Sequence, residues 1–133
     1  MEVCELGFLD GLFGNASEVN IDKIEQELAI LLTDGEEVQR AYVVIRDSFV
    51  FTNKRLILID KQGLTGKKIE YHSIPYKSIS HFSIETAGHF DMDSELKIWI
   101  SGNSEPIEKE FKGDKSIFNV QKALSYYILN LYM

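Results

Sequence analysis

The stretch FVFTNKRLILIDKQGLTGKKIEYHSIPYKSISHFSIETAGHFD, residues 49 to 91, decides the fold. Its apolar runs are short, and each is closed within a few residues by Asn, Asp, Lys, Gly or Pro. Runs too short for a helix and bounded by turn residues mark antiparallel strands joined by hairpins. Asp47-Ser48 and Asn53-Lys54 are read as tight turns, Gln62-Gly63 to Gly66 as a slightly longer hairpin, and Gly88 to Asp93 as a wider polar loop. Working outward at a period of two predicts strands over 38–46, 48–52, 55–60, 67–73, 77–85, 95–102 and 106–112, half buried against a core. Leu96, Ile98 and Ile100 then share one face and Lys97, Trp99 and Ser101 the other, which sets Trp99 opposite the aliphatic side.

Helical spacing flanks this β region. Ser17 or Asn20 suits an N-cap, and Ile21, Ile24, Leu28, Leu31 and Leu32 follow on one stripe, with Asp22, Glu25 and Glu27 on the solvent side and Gly35 as the end. Asp114 suits the cap of a C-terminal helix whose apolar face is Ile117, Val120, Leu124, Tyr127, Ile128 and Leu131. Phe118, Leu129 and Tyr132 add a second ridge, more apolar arc than docking on one barrel consumes. The first sixteen residues carry Leu6, Phe8, Leu9, Leu12 and Phe13 among Gly7, Gly11 and Gly14, a poor isolated helix that needs a surface to lie on. The organisation expected is residues 1–35 as an apolar segment plus amphipathic helix, and 36–133 as a barrel with its C-terminal helix, together one structural domain.

About seven antiparallel strands followed by one helix is the order of a pleckstrin-homology (PH) barrel, whose helix plugs an open end. FTNKRLILID, Phe51 to Asp60, resembles the strand-turn-strand signature of the bacterial PH-like family. GLTGKK (Gly63 to Lys68), YHSIPYKSI (Tyr71 to Ile79), ETAGHFD (Glu85 to Asp91), LKIWISG (Leu96 to Gly102) and LFGNASEV (Leu12 to Val19) resemble the marks of one small single-domain branch. The resemblance implies a mainly β PH-like barrel with flanking helices, no assigned biochemical activity, and ring-like homo-oligomers.

Composition narrows the chemistry. A chain of 133 residues, 44% hydrophobic and 26% charged, suits one soluble globular domain. Cys4 is the single cysteine, so neither an intrachain disulfide nor a multi-cysteine zinc site can form, which points to a reducing compartment. The first fifteen residues hold three acids and no Lys or Arg, unlike a secretory signal, and no apolar run reaches the ~18 residues of a membrane span. A net charge of −7 repels phosphates and argues against nucleic acid as a partner.

Three local patterns carry possible chemistry. HFDMDSE sets His89, Asp91, Asp93 and Glu95 on alternate residues, donors for calcium, magnesium or zinc, but without the length and glycine of an EF-hand loop; two acids in a hairpin are ordinarily solvated. His72 and His81 lie on different strands and are candidates to adjoin across the sheet, although a surface or capping histidine is the commoner case. Lys61, Lys67 and Lys68 flank the GLTGKK hairpin, which lacks the spacing and the helix of a nucleotide-binding loop. PH domains that bind inositol lipids carry basic residues at the first strand hairpin, whereas here that hairpin turns through Arg46, Asp47 and Ser48. No GxSxG or HExxH motif occurs, and small barrels fill their interiors with side chains.

The sequence therefore predicts a non-enzymatic, cytoplasmic interaction module without a cofactor or a metal, whose partners are copies of itself and another protein. Leu12, Phe13, Trp99, Phe118, Leu129 and Tyr132 are the expected contact residues. The alternatives are a peripheral membrane module, in which the apolar N-terminus dips into a bilayer and Lys61, Lys67 and Lys68 meet headgroups, and a metal-dependent enzyme at the His89 loop.

Overall fold

The computed structural model describes residues 17–18, 20–44, 47–62, 67–86, 93–112 and 116–130. In chain order these form β1 (Ser17–Glu18), α1 (Ile21–Glu27), β2 (Val38–Val44), β3 (Asp47–Thr52), β4 (Arg55–Gln62), β5 (Lys68–Pro75), a 3-10 turn (Tyr76–Ser78), β6 (Ile79–Thr86), β7 (Ser94–Ile100), β8 (Ile107–Phe111) and α2 (Ile117–Leu129). All seven predicted strands are present, and β1 is an addition. The chain gathers into two compact units, Met1–Ile74 and Pro75–Met133.

The pairing runs in two sheets, β1-β2-β3-β4-β5 and β6-β7-β8, and not around the single closed barrel that the sequence predicts. The break falls at Pro75, which has no N–H to extend a ladder, and the 3-10 turn that follows takes the chain out of strand geometry. Two tight-turn residues also move into strands. Asp47 pairs with Val44 and with Asp60, and Ser48 with Val43 and Ile59.

In the first unit, β3 and β4 are buried on both faces rather than half buried. Phe49 to Thr52 and Leu56 to Ile59 are all buried, as continuous apolar runs such as FVF and LILI require. One face carries Ala41, Val50, Ile57 and Ile59, which form a cluster with Leu28 and Val38; Ile21, Ile24 and Leu32 pack on it. Val38 reaches this face only because the β2–β3 register slips by one residue between Val38 and Arg40. Such a bulge flips the side chains beyond it to the opposite side. Tyr42, Val44, Phe49, Phe51, Leu56 and Leu58, on the other face, are buried as well.

The first helix is shorter than its apolar stripe. Asn20 caps it as predicted, with Oδ1 accepting from the Lys23 N–H at 3.1 Å, but regular helix stops at Glu27 and Leu28 to Leu31 form turns. Glu25 is not a solvent-side residue, because its Oε2 accepts from the Val38 N–H at 2.9 Å and ties the helix to β2.

A buried ion pair closes this unit. The Glu36 side chain is fully buried, and Arg55 meets it with both arms of the guanidinium, Nε to Oε2 at 2.8 Å and Nη2 to Oε1 at 2.9 Å. The Thr33 N–H donates to Oε1 at 3.0 Å and the Thr52 hydroxyl to Oε2 at 2.7 Å. Burial alone would push the Glu36 carboxyl up. The hydrogen bonds from Arg55, Thr33 and Thr52, with the Arg55 charge, outweigh it and lower the pKa from 4.5 to about 2.

In the second unit, α2 packs on β6, β7 and the 3-10 turn through Ile117, Val120, Ala123, Leu124 and Ile128. Its N-cap is Ser116, two residues later than the predicted Asp114, which lies outside the described residues.

A carboxyl whose folded pKa lies below its unfolded value contributes stability above the unfolded pKa and loses it as pH falls. Glu36 should contribute about 3 kcal/mol at pH 7, lost between about pH 5 and pH 2. Urea unfolding at stepped pH should show that loss in the native chain. Glu36→Gln should be destabilised at pH 7 by a comparable amount and flatter across the window; an unchanged pH profile would remove the ion pair from the stability of the fold.

Candidate functional site

Two surfaces hold the features from which function can be built, one in each unit. In the first, a groove of about 430 Å³ runs beside α1, with Val43, Ser48, Ile59, Lys61 and Tyr71 from the sheet and Asn20, Lys23, Ile24, Glu27 and Leu28 from the helix side. Its origin is a mismatch of lengths. A helix of seven residues spans about 10 Å, while β4 and β5, eight residues each, run about 26 Å, so α1 leaves sheet uncovered. Val43, Ser48 and Ile59 stand directly opposite one another across β2, β3 and β4, making a row on the helix-covered face. Tyr71 shares a face of β5 with Ile69 and Ser73, and both large side chains are exposed, Tyr71 at 43%. Lys23 and Lys61 bring positive charge to the groove and form no ion pair among the described residues. The periodicity that located β5 contained Tyr71, but nothing local marked it as groove-lining, because the shortness of α1 exposes it.

The second unit carries the aromatic surface. Trp99 does face away from Leu96 and Ile98, as the alternation predicts, but it is no free anchor. His81 stands opposite it in the β6–β7 register and stacks on its ring, centroids 4.3 Å apart at 16°. Ser80 Oγ lies 3.2 Å from His81 Nδ1 and donates to the Trp99 carbonyl at 3.2 Å. The buried Tyr76 of the 3-10 turn stacks on Tyr127 of α2 at 4.8 Å, and Tyr127 meets Tyr126 edge to face at 5.0 Å. Tyr126 and Leu129 emerge beside each other, one helical turn apart and both exposed. Phe118 is half-buried, some 16 Å along the axis from Leu129, with the exposed Lys122 between them. Of the predicted ridge of Phe118, Leu129 and Tyr132, the first two are thus separated by a lysine, and Tyr126, which the ridge omitted, is exposed beside Leu129.

Leu12, Phe13 and Tyr132 lie outside the described residues, as do Leu6, Phe8, Leu9, His89 and Asp91. Asp93 and Glu95 are described and each faces a lysine, Asp93 at 3.9 Å from Lys112 and Glu95 at 3.8 Å from Lys97. Among the described residues no three His, Cys, Asp or Glu side chains come together as a metal site. His72 and His81 are not on paired strands, since β5 belongs to one sheet and β6 to the other. Lys61, Lys67 and Lys68 are all exposed. No described helix is long and apolar enough to cross a membrane.

Comparison with known proteins bears on the whole of this arrangement. The family model for the bacterial PH domain matches residues 7–128. An uncharacterized Bacillus subtilis protein, YjqA, is 60% identical over 121 residues, covering 90% of this chain and 97% of its own. The crystal structure of a pleckstrin homology domain from Shewanella amazonensis is similar at a TM-score of 0.81 and 61% identity, over 92% of this chain and 98% of that one. A DUF1696 family protein with a pleckstrin-homology domain from Shewanella loihica matches at a TM-score of 0.73 and 58% identity, over 86% and 98%. The PH-like fold is therefore shown, with its strands in two sheets.

Trp99 is the one tryptophan in the chain, so its fluorescence reports the stack directly. His81→Ala should uncover one ring face, move the emission to longer wavelength and raise acrylamide quenching severalfold, with the far-ultraviolet circular dichroism unchanged. Emission identical to that of the native chain would mean that the two rings do not stack in solution.

Proposed function

The chain belongs to the bacterial PH domain family, and we propose that it works as a non-enzymatic cytoplasmic interaction module that associates with copies of itself in a ring and holds a protein partner on the surface left over. The observation that carries this reading is the adjacent apolar pair on α2, Tyr126 at 50% and Leu129 at 60% exposed. Large apolar side chains left in water each forgo about 1.5–3 kcal/mol of burial. Tyr126 also meets Tyr127 edge to face, and an aromatic side chain, with two side-chain torsions, contributes to a contact at small entropic cost. Meeting a different patch on the next copy, such a contact repeats around an axis and closes a ring.

The non-enzymatic part is supported by how the polar residues are used. Glu36, the strongly perturbed carboxyl, spends its hydrogen-bonding capacity on Arg55, Thr33 and Thr52 within the fold. Arg55 in turn is shared among Glu36, Leu31 and Ser73. These groups hold the structure together and leave no free acid or base there to serve a reaction.

Light scattering on the purified chain should give a mass several times that of one copy. Tyr126→Asp with Leu129→Asp should reduce it to a single copy with an unchanged circular dichroism spectrum. A native chain that scatters as a monomer at high concentration would defeat self-association, and a double variant still assembled would move the contact off α2.

A further inference from the structure

The groove beside α1 is built for an acidic, apolar peptide, and we propose that its occupant is the chain's own segment 1–16. That segment lies outside the described residues, but where it joins them is known. Ser17 pairs with Val43, and Val43 lines the groove, so the segment enters the described fold at the groove's rim. From Ser17 on β1 to Ile59 on β4 is three strand spacings, about 14 Å. Phe13 and Leu12 stand four and five residues before Ser17, and extended chain of that length reaches about 13–18 Å. Both side chains can therefore reach the floor of the groove.

The chemistry matches on both counts. Ile59, Val43 and the exposed ring of Tyr71 supply an apolar floor for Leu12 and Phe13. The segment carries Glu2, Glu5 and Asp10 with no basic residue, and the charged lining of the groove is Lys23, Lys61 and Glu27, two positive against one negative, with neither lysine in an ion pair among the described residues. Leu12 and Phe13 are thereby assigned to the groove, and α2 remains the surface for other copies, so this inference and the assembly reading stand or fall separately.

Disulfide trapping in the full chain decides it. In a Cys4→Ser background, Leu12→Cys with Ser48→Cys should close a disulfide within one chain at least about tenfold faster than Leu12→Cys with Ser104→Cys on the exposed turn of the other unit. Adding Phe13→Asp should bring the fast pair down to the control rate. Equal rates for the two pairs would overturn the proposal, and so would a disulfide between chains, which would give the groove to a second copy. Hydrogen exchange on the chain without added cysteines is the second measurement. Phe13→Asp should speed exchange across Lys23 to Leu28 and leave Tyr126 to Leu129 unaltered, and unchanged rates along α1 would overturn the proposal as well.

Discussion

The contact between Glu36 and Arg55 is the constraint on which the first unit depends. The carboxylate has no exposed surface, and taking an ion of that size out of water costs several kcal/mol unless every lone pair is met. Here they are met, by two guanidinium nitrogens, a backbone N–H and a hydroxyl. The arrangement is worth less as an attraction than as a condition. It forms only when the 33–36 turn, the β3–β4 turn and the start of β4 are all in place, so it ties a single geometry to three pieces of chain. Arg55 extends that condition to β5 through Ser73, with Nη1 to Oγ at 3.0 Å.

This gives the FTNKRLILID signature a physical meaning. Thr52 accepts from the N–H groups of Lys54 and Arg55 through the hydroxyl that donates to Glu36. Asn53 donates to the Gly35 carbonyl at 3.0 Å and accepts from the Glu37 N–H at 2.8 Å, stapling one turn to the other. Thr, Asn and Arg in that order thus lock a hairpin against the segment that precedes the sheet, and the apolar run after them fills two buried faces. The motif marks a fold because its polar members are used up in making the fold. What the chain does has to be sought on surfaces that this network leaves alone.

The strands were legible because their evidence is local. Phe49 to Phe51 and Leu56 to Ile59 are apolar runs between turn residues, and Asn20 announces the first helix by its side chain. What was not legible depends on residues far apart in sequence. Nothing near Glu36 or Arg55 distinguishes them from the other charges of the chain, and their pairing becomes visible only once β3 and β4 bring residues nineteen apart together. Asp47 and Ser48 read as a turn by residue type, yet the β2–β3 register carries them into the ladder. Tyr126 lies outside both ridges on the helical wheel, about 180° from Ile117, and what sets it apart is its edge-to-face contact with Tyr127, which stacks on Tyr76. The closed barrel failed at Pro75 for a more general reason, since strand order alone does not say whether a sheet continues past a residue that cannot donate.

The same ion pair holds the chain that follows α1. Regular helix already stops at Glu27, where the Ala29 N–H turns to the Gln26 carbonyl at 3.3 Å, and a helix carried on to Leu32 would also need the Thr33 N–H to donate to Ala29. The ion pair takes that donor. Arg55 Nη2 holds the Leu31 carbonyl at 2.7 Å, and Glu36 Oε1 holds the Thr33 N–H. Gly35, at a φ of 79°, then turns the chain into β2 through a conformation that side chains rarely adopt. The ion pair therefore keeps the segment after α1 out of helix, and the short helix leaves Val43, Ile59 and Tyr71 lining the groove. The groove is then a consequence of how the fold is built, and the segment proposed to fill it joins the sheet at Ser17, opposite Val43 on the groove's own edge.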